Sequence, residues 1–331
     1  MAVYSKDGIN LNDIAYGTSG IQLEQAYDTD GNELFSGEPP IEPTIELVND
    51  YSTGTYFGYS FHVQNDGTEY KMYEIANLLQ YDSNLQSFGY DSDNEQFYKF
   101  DEQHRIRVFD KDFQLLDTFY NNDLTGHCND VTFYDGVFYF PDVDNTPGVN
   151  WWNPSTNTAG RLVVTGIQQP TSGSTRTTAA ICKAEGNNSL FYLACADYTG
   201  DSFVHLNTDK LSIYLYDLNT GIATLQHEFT WEDRYIQGMC LYDGIIYVIG
   251  NIMGSSSDSG YRGLIIRPYV IETWEALNPL LANGNFEPES INLYPFADNG
   301  KPEFMFGVGR YQAISKIVRC TIPYRIVYPN S

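Results

Sequence analysis

An all-β chain, a β-propeller of about five blades of four antiparallel strands with a small N-terminal β segment, is predicted by three features of the sequence. First, aromatic-rich segments recur: Gln96-Phe97-Tyr98, Val137-Phe138-Tyr139-Phe140, Leu190-Phe191-Tyr192-Leu193, Ile245-Ile246-Tyr247-Val248 and Phe304-Met305-Phe306. The markers Tyr98, Tyr139, Tyr192, Tyr247 and Phe306 stand 41, 53, 55 and 59 residues apart, near the ~40–50 residues of a propeller blade. Second, a turn precedes each segment, as in Tyr134-Asp135-Gly136 and Tyr242-Asp243-Gly244. Asp and Gly tolerate positive φ and close tight hairpins. Third, another hairpin follows, so that each unit reads as strand, turn, strand, strand, turn, strand.

Along the chain, residues 1–37 carry short alternating runs around the turn Asp28-Thr29-Asp30-Gly31-Asn32 and form the expected N-terminal segment. That turn has the spacing of half a calcium loop, but Pro39 stands where the bidentate Glu is needed, so a tight turn and no metal is expected. Gly37-Glu38-Pro39-Pro40-Ile41-Glu42-Pro43 reads as an extended linker. Within 38–82, a hairpin of 56–61 with 70–73 is expected to supply the outer strand that closes the ring against the last blade; a sixth blade is the alternative. The blades occupy 83–331. Their first strands, at 87–90, 131–134, 178–181, 239–242 and 291–294, are small or half-apolar, as a crowded axis requires. Outer hairpins are clearest at 106–116 and 213–225, and 151–163 repeats the layout. A lone hairpin is marginal in water, so the units must bury their Phe, Tyr, Ile and Leu between stacked faces. Trp151 and Trp152 point to opposite faces of one strand, so at most one faces a ligand while the other packs between blades.

Composition narrows the function classes. Eighteen Lys and Arg against 43 Asp and Glu leave a formal charge of −25, while 42% apolar and 15% aromatic residues supply a folded core. Nucleic acid and anionic membrane surfaces are disfavoured, because both need clustered cations. The five cysteines, Cys128, Cys182, Cys195, Cys240 and Cys320, are widely spaced with no CxxC pair and are expected to be buried free thiols. Neither a secretory h-region nor a run of ~18 apolar residues occurs, so neither Sec export nor membrane insertion is expected.

The leader Met1-Ala2-Val3-Tyr4-Ser5-Lys6-Asp7-Gly8, with Leu23-Glu24-Gln25-Ala26-Tyr27-Asp28-Thr29-Asp30-Gly31-Asn32-Glu33-Leu34-Phe35, resembles the N-terminal leader of bacteriophage tail proteins. Leu85-Gln86-Ser87-Phe88-Gly89-Tyr90-Asp91 and His127-Cys128-Asn129-Asp130-Val131 resemble the blade starts of five-bladed receptor-binding propellers of phages that infect Gram-positive hosts. The resemblance implies a virion tail or fibre protein acting outside the host cell. Its leader would attach to other virion tail proteins, and its propeller would contact host surface polysaccharide or teichoic acid. Many such adhesins are trimers, so the resemblance also raises a homotrimer. Delivery by lysis would account for the missing export signal.

A propeller site forms where the innermost strands begin and several blades place polar groups around one point. The candidate ligand-binding residues are therefore Gln86, His127, Asn129, Asp130, Arg176, Arg234, Gln237 and Glu289. Amides, carboxylates and aromatic faces suit sugars, which need donors, acceptors and a stacking surface. The alternative is that these groups cap strand ends and line a water-filled channel. Arg176, Arg234 and Arg310 could clamp a phosphate, although paired surface arginines are the simpler reading. No cofactor is expected. An enzyme that cleaves surface polysaccharide or teichoate would need a carboxylate pair, for which Asp130 and Glu289 are the candidates, with His127 beside them. No GxSxG elbow, P-loop or HxxxH spacing accompanies them. A purely structural virion decoration is the third reading.

Overall fold

The computed structural model describes residues 25–27 and 33–36 and, from 43 to 328, all but 80–84, 102–103, 125–127, 144–146, 171–174, 187–188, 199–205, 232–234, 254–260, 285, 299 and 311–313. Two compact units are present, residues 48–323 and residues 1–47 with 324–331. In the smaller unit β1 (Gln25–Tyr27) pairs with β2 (Glu33–Ser36), the hairpin expected around Asp28–Asn32, whose turn residues lie outside the described ones. Strand β3 (Thr44–Leu47) belongs here too.

The larger unit is all-β, with no α-helix among its described residues. It opens with β4 (Thr55–Val63) and β5 (Glu69–Asn77), the hairpin expected at 56–73. Three four-stranded antiparallel sheets follow, each paired in chain order. The first holds β6 (Ser87–Asp91), β7 (Gln96–Phe100), β8 (Arg105–Phe109) and β9 (Leu115–Tyr120). The second holds β10 (Thr132–Tyr134), β11 (Val137–Pro141), β12 (Gly148–Asn153) and β13 (Thr158–Val163). The third holds β14 (Thr175–Lys183), β15 (Leu190–Tyr198), β16 (Leu206–Asp217) and β17 (Ile222–Thr230).

The remaining strands are β18 (Ile236–Tyr242), β19 (Ile245–Met253), β20 (Tyr261–Val270), β21 (Leu280–Asn283), β22 (Glu287–Leu293), β23 (Glu303–Arg310) and β24 (Ile314–Thr321). They form two further runs, β18-β19-β20-β21 and β22-β23-β24-β5, joined through β4 into one nine-stranded sheet. The 56–73 hairpin therefore builds no sheet of its own. Its second strand completes the last run, and its first pairs with both β5 and β21. In the smaller unit the last strand, β25 (Tyr324–Val327), pairs with β3, so the C-terminal residues leave the repeats they follow in sequence.

The local chemistry explains the hairpins. Asp135 and Gly136 have φ of 50° and 73°, and Asp243 and Gly244 have 49° and 68°. Positive φ at both central residues of a two-residue loop is the type I′ turn that matches strand twist. The core lies between successive sheets. Tyr98, Phe100, Phe138, Phe140 and Trp152 fill the space between the first and second. Tyr139, Ile181, Phe191, Leu193 and Tyr214 fill the next, and Ala180, Ile213, Met239, Ile246 and Val248 the one after. Phe88, Phe97, Met305 and Ile317 join the last run to the first sheet. Each fully buried ring or branched chain contributes about 1.5–3 kcal/mol of transfer free energy. Trp152 is buried and Trp151 half-buried, the division that strand alternation requires. All five cysteines are free and buried, as expected.

Candidate functional site

The first strands of the five runs neighbour one another in cyclic order, β6, β10, β14, β18, β22 and back to β6. Asp130, two residues before β10, has no solvent exposure and reaches the interiors of the neighbouring first strands. Its Oδ2 accepts hydrogen bonds from the Ile181 and Met239 amides at 3.0 and 2.9 Å, so one carboxylate ties the second sheet to the first strands of the third and fourth. Burial pushes its pKa well above the ordinary carboxylate value, opposed by the amides of Ile181, Met239, Val131 and Ile291. Its Oδ1 makes no hydrogen bond of good geometry among the described residues. Gly238 makes this approach possible: a Cβ there would lie 2.9 Å from the Ile291 nitrogen and 3.1 Å from Asp130 Oδ1.

The strand starts are irregular. Register breaks between Thr178 and Ala180, Ile236 and Gly238, and Pro288 and Ile291 put bulges at three first strands, the device by which sheets re-aim side chains. Ser290 in the last bulge has φ of 98°, a conformation few L-residues hold without support. Its Oγ accepts from the Phe88 amide at 3.0 Å, linking the last run to the first sheet.

The residues expected from the sequence that the structure describes stand at or near these strand starts. Gln237 and Glu289 are buried, 6% and 5% exposed, and Gln237 Nε2 donates to Glu287 Oε1 at 3.1 Å. Gln86 and Asn129 are half-buried at the same strand starts, and the Gln86 amide donates to the Phe100 carbonyl. Arg176 is committed within the protein. Its guanidinium binds Asp197 through Nε and Nη2, at 2.5 and 3.1 Å, with Tyr214 and Glu228 beyond. These bonds to Asp197 above all raise its pKa, so it stays charged but is not a spare phosphate clamp. His127, Arg234 and the Arg310 side chain lie outside the described residues.

The sequence points to Asp130, Thr177 and Gln237 at these positions, but not to the unpartnered state of their oxygens nor to Ser87. Ser87 Oγ, Asp130 Oδ1, Thr177 Oγ1 and Gln237 Oε1, near the starts of four successive first strands, make no hydrogen bond of good geometry among the described residues although each residue is at least nine-tenths buried. The signal was available in the polar residues that open otherwise apolar strands. Also missed was a buried Asp near the end of the second strand in three sheets, each held by an arginine: Asp101 by Arg105, Asp142 by Arg161 and Asp197 by Arg176. In the fourth run Asn251, fully buried, stands near the end of the corresponding strand. A neutral amide avoids the cost of an uncompensated charge there.

At the turn end of the first two sheets lies a cleft of ≈ 670 Å³, walled by Asp91, Gln96, Asp117, Phe119, Asp135 and Asn153 among others. No Lys or Arg lines it among the described residues. Among the described residues no group of three or more His, Cys, Asp or Glu is placed to hold a metal ion.

No family model and no curated protein matches the chain. Among solved structures, one described as "Crystal structure of the computationally designed Ika4 protein" is 15% identical, covers 57% of this chain and 92% of its own, and superposes with a TM-score of 0.32, a likeness too slight to bear on fold or function.

Proposed function

We propose that the five four-strand runs are the blades of a five-bladed β-propeller, and that the chain is a bacteriophage tail receptor-binding protein that recognises host surface glycan without cleaving it. The fold reading is supported by the cyclic order of the first strands and by a core layered between successive sheets. The ligand reading rests on one observation, the unpartnered oxygens of Ser87, Asp130, Thr177 and Gln237 at neighbouring strand starts. A buried acceptor without a donor costs about 1–3 kcal/mol, which sugar hydroxyls would recover. With Arg176 bound to Asp197 and a formal charge of −25, a neutral or ammonium-bearing polysaccharide suits the site better than phosphate-rich teichoic acid. The residues before the linker attach the protein to the virion.

The test is binding of the purified chain to neutral, aminated and teichoate fractions of Gram-positive cell walls. A neutral or aminated fraction should bind, and the Gln86→Ala/Gln237→Ala/Glu289→Ala triple variant, confirmed folded, should bind at least about tenfold more weakly, ~1.4 kcal/mol. Binding to no fraction, or undiminished binding by a folded triple variant, rejects the reading. Release of soluble sugar or glycerophosphate would replace it with the enzymatic one.

A further inference from the structure

At the turn end of the fifth run, away from the strand starts, residues 50–53 cross the sheet and are fastened to it. Thr321 Oγ1 accepts from the Tyr51 and Ser52 amides, both at 3.1 Å, and donates to Asp50 Oδ1 at 2.8 Å. The Tyr51 hydroxyl donates to the Pro302 carbonyl. Between this strap and the β22–β23 turn lies a pocket of ≈ 160 Å³, with Tyr51 and Thr53 on one wall, Phe296, Asp298 and Lys301 on the turn, and Glu303 and Arg319 at the base. Drug-sized ligands occupy roughly 300–1,000 Å³, so this space suits one small ring.

Glu303 is the informative residue. It is 5% exposed, and its Oε2 accepts from Arg319 Nη1 at 3.0 Å. Its Oε1 has no partner among the described residues. Arg319 cannot turn to serve it, because its Nη2 donates to the Thr53 carbonyl and its guanidinium lies 5.3 Å from the centre of the Tyr294 ring. A buried carboxylate oxygen with no donor is a strong acceptor in a region of low dielectric. The exposed ammonium of Lys301 adds a donor on the turn. Phe296, 40% exposed and set edge-on to Tyr90 and Tyr294 at 5.6 and 5.9 Å, presents an aromatic surface at the same opening. A fixed acceptor, a mobile donor and a ring face together are what a sugar uses: a hydroxyl or ammonium to donate, further hydroxyls to accept, and C–H groups to stack.

We propose that this pocket binds a single saccharide residue, whose hydroxyl or ammonium donates to Glu303 Oε1 while a neighbouring hydroxyl accepts from Lys301 and the sugar face lies on Phe296. The pocket rests on its own geometry; only the choice of sugar over other small polar rings leans on the glycan-binding reading.

The experiment is titration of the whole chain with glucose, glucosamine and glycerol 1-phosphate, followed by ligand-detected NMR. Glucose or glucosamine should bind with dissociation constants on the order of 1–10 mM, the weaker range expected of one small ligand. Preference for glucosamine would assign the donor as an ammonium, and equal binding would assign it as a hydroxyl. Lys301→Ala and Phe296→Ala should each weaken binding about fivefold or more with the fold retained by circular dichroism, while the Gln237→Ala variant should bind the monosaccharide normally. Three results overturn the proposal: no saturable binding of either sugar, binding undiminished in both turn variants, or binding lost with Gln237→Ala. The first two leave polysaccharide capture at the strand starts untouched, the third would place the sugar there instead, and the triple variant reports that capture separately.

Discussion

Replacing Asp130 by alanine removes the acceptor on which two buried amides depend. Ile181 and Met239 each donate to its Oδ2, and both lie inside strands with no water at hand. An orphaned buried donor costs about 1–3 kcal/mol, so two cost about 2–6 kcal/mol, and the small cavity left by the carboxyl adds to this. Against a total stability of about 5–15 kcal/mol, Asp130→Ala should lower the unfolding free energy by about 3–5 kcal/mol. Asp130→Asn behaves differently, because its carbonyl oxygen still serves both amides. The sign of the pH dependence separates the two roles of the carboxylate. Its folded pKa is raised, so its contribution is complete below the ordinary carboxylate pKa, and stability is lost as pH climbs from there through the raised value. The wild type should therefore lose stability relative to Asp130→Asn as pH rises above about 4. Urea unfolding followed by tryptophan fluorescence at pH 4, 6 and 8 measures both effects. A cost below about 1 kcal/mol for Asp130→Ala, or a pH-independent gap between wild type and Asp130→Asn, would refute the central-tie account.

Two further substitutions probe the framework. Arg176→Ala leaves Asp197, 4% exposed, without its cation, and should cost about 3–5 kcal/mol in the urea midpoint; the Arg176→Met/Asp197→Leu double variant should recover most of that. Trp152→Ala should cost about 3–5 kcal/mol, since its indole is fully buried against Phe100, Phe119 and Phe138. Trp151→Ala, at a half-buried ring lying over Gly160, should cost less than half as much, and equal costs would contradict the assigned faces.

The candidate site was partly legible in the residues. Gln86, Asn129, Asp130, Gln237 and Glu289 were picked as polar entries to first strands, and they stand there. Their burial was not legible. Whether a polar side chain at a strand start meets water or a neighbouring amide depends on how closely the next sheet approaches. That distance is set at Gly238, where a bare Cα admits the Ile291 backbone. The pairing of Arg176 with Asp197 was equally hidden, because the two are 21 residues apart and meet only through the β14–β15 register.

What the sequence determined by itself were the local terms. Alternation of apolar and polar residues specifies strands, Asp-Gly pairs specify type I′ turns, and a spaced recurrence of both specifies a series of antiparallel units. The 56–73 hairpin is expected from the sequence to close the last run; the tertiary structure decided that β5 is the strand that pairs there, that β4 also joins β21, and where β25 goes. Strand β5 completes a run whose other members begin more than 200 residues later, and β25 leaves that run to pair with β3. Edge pairing is a competition between exposed backbone groups that any strand can satisfy, so its outcome follows from long-range packing and is carried by no single segment.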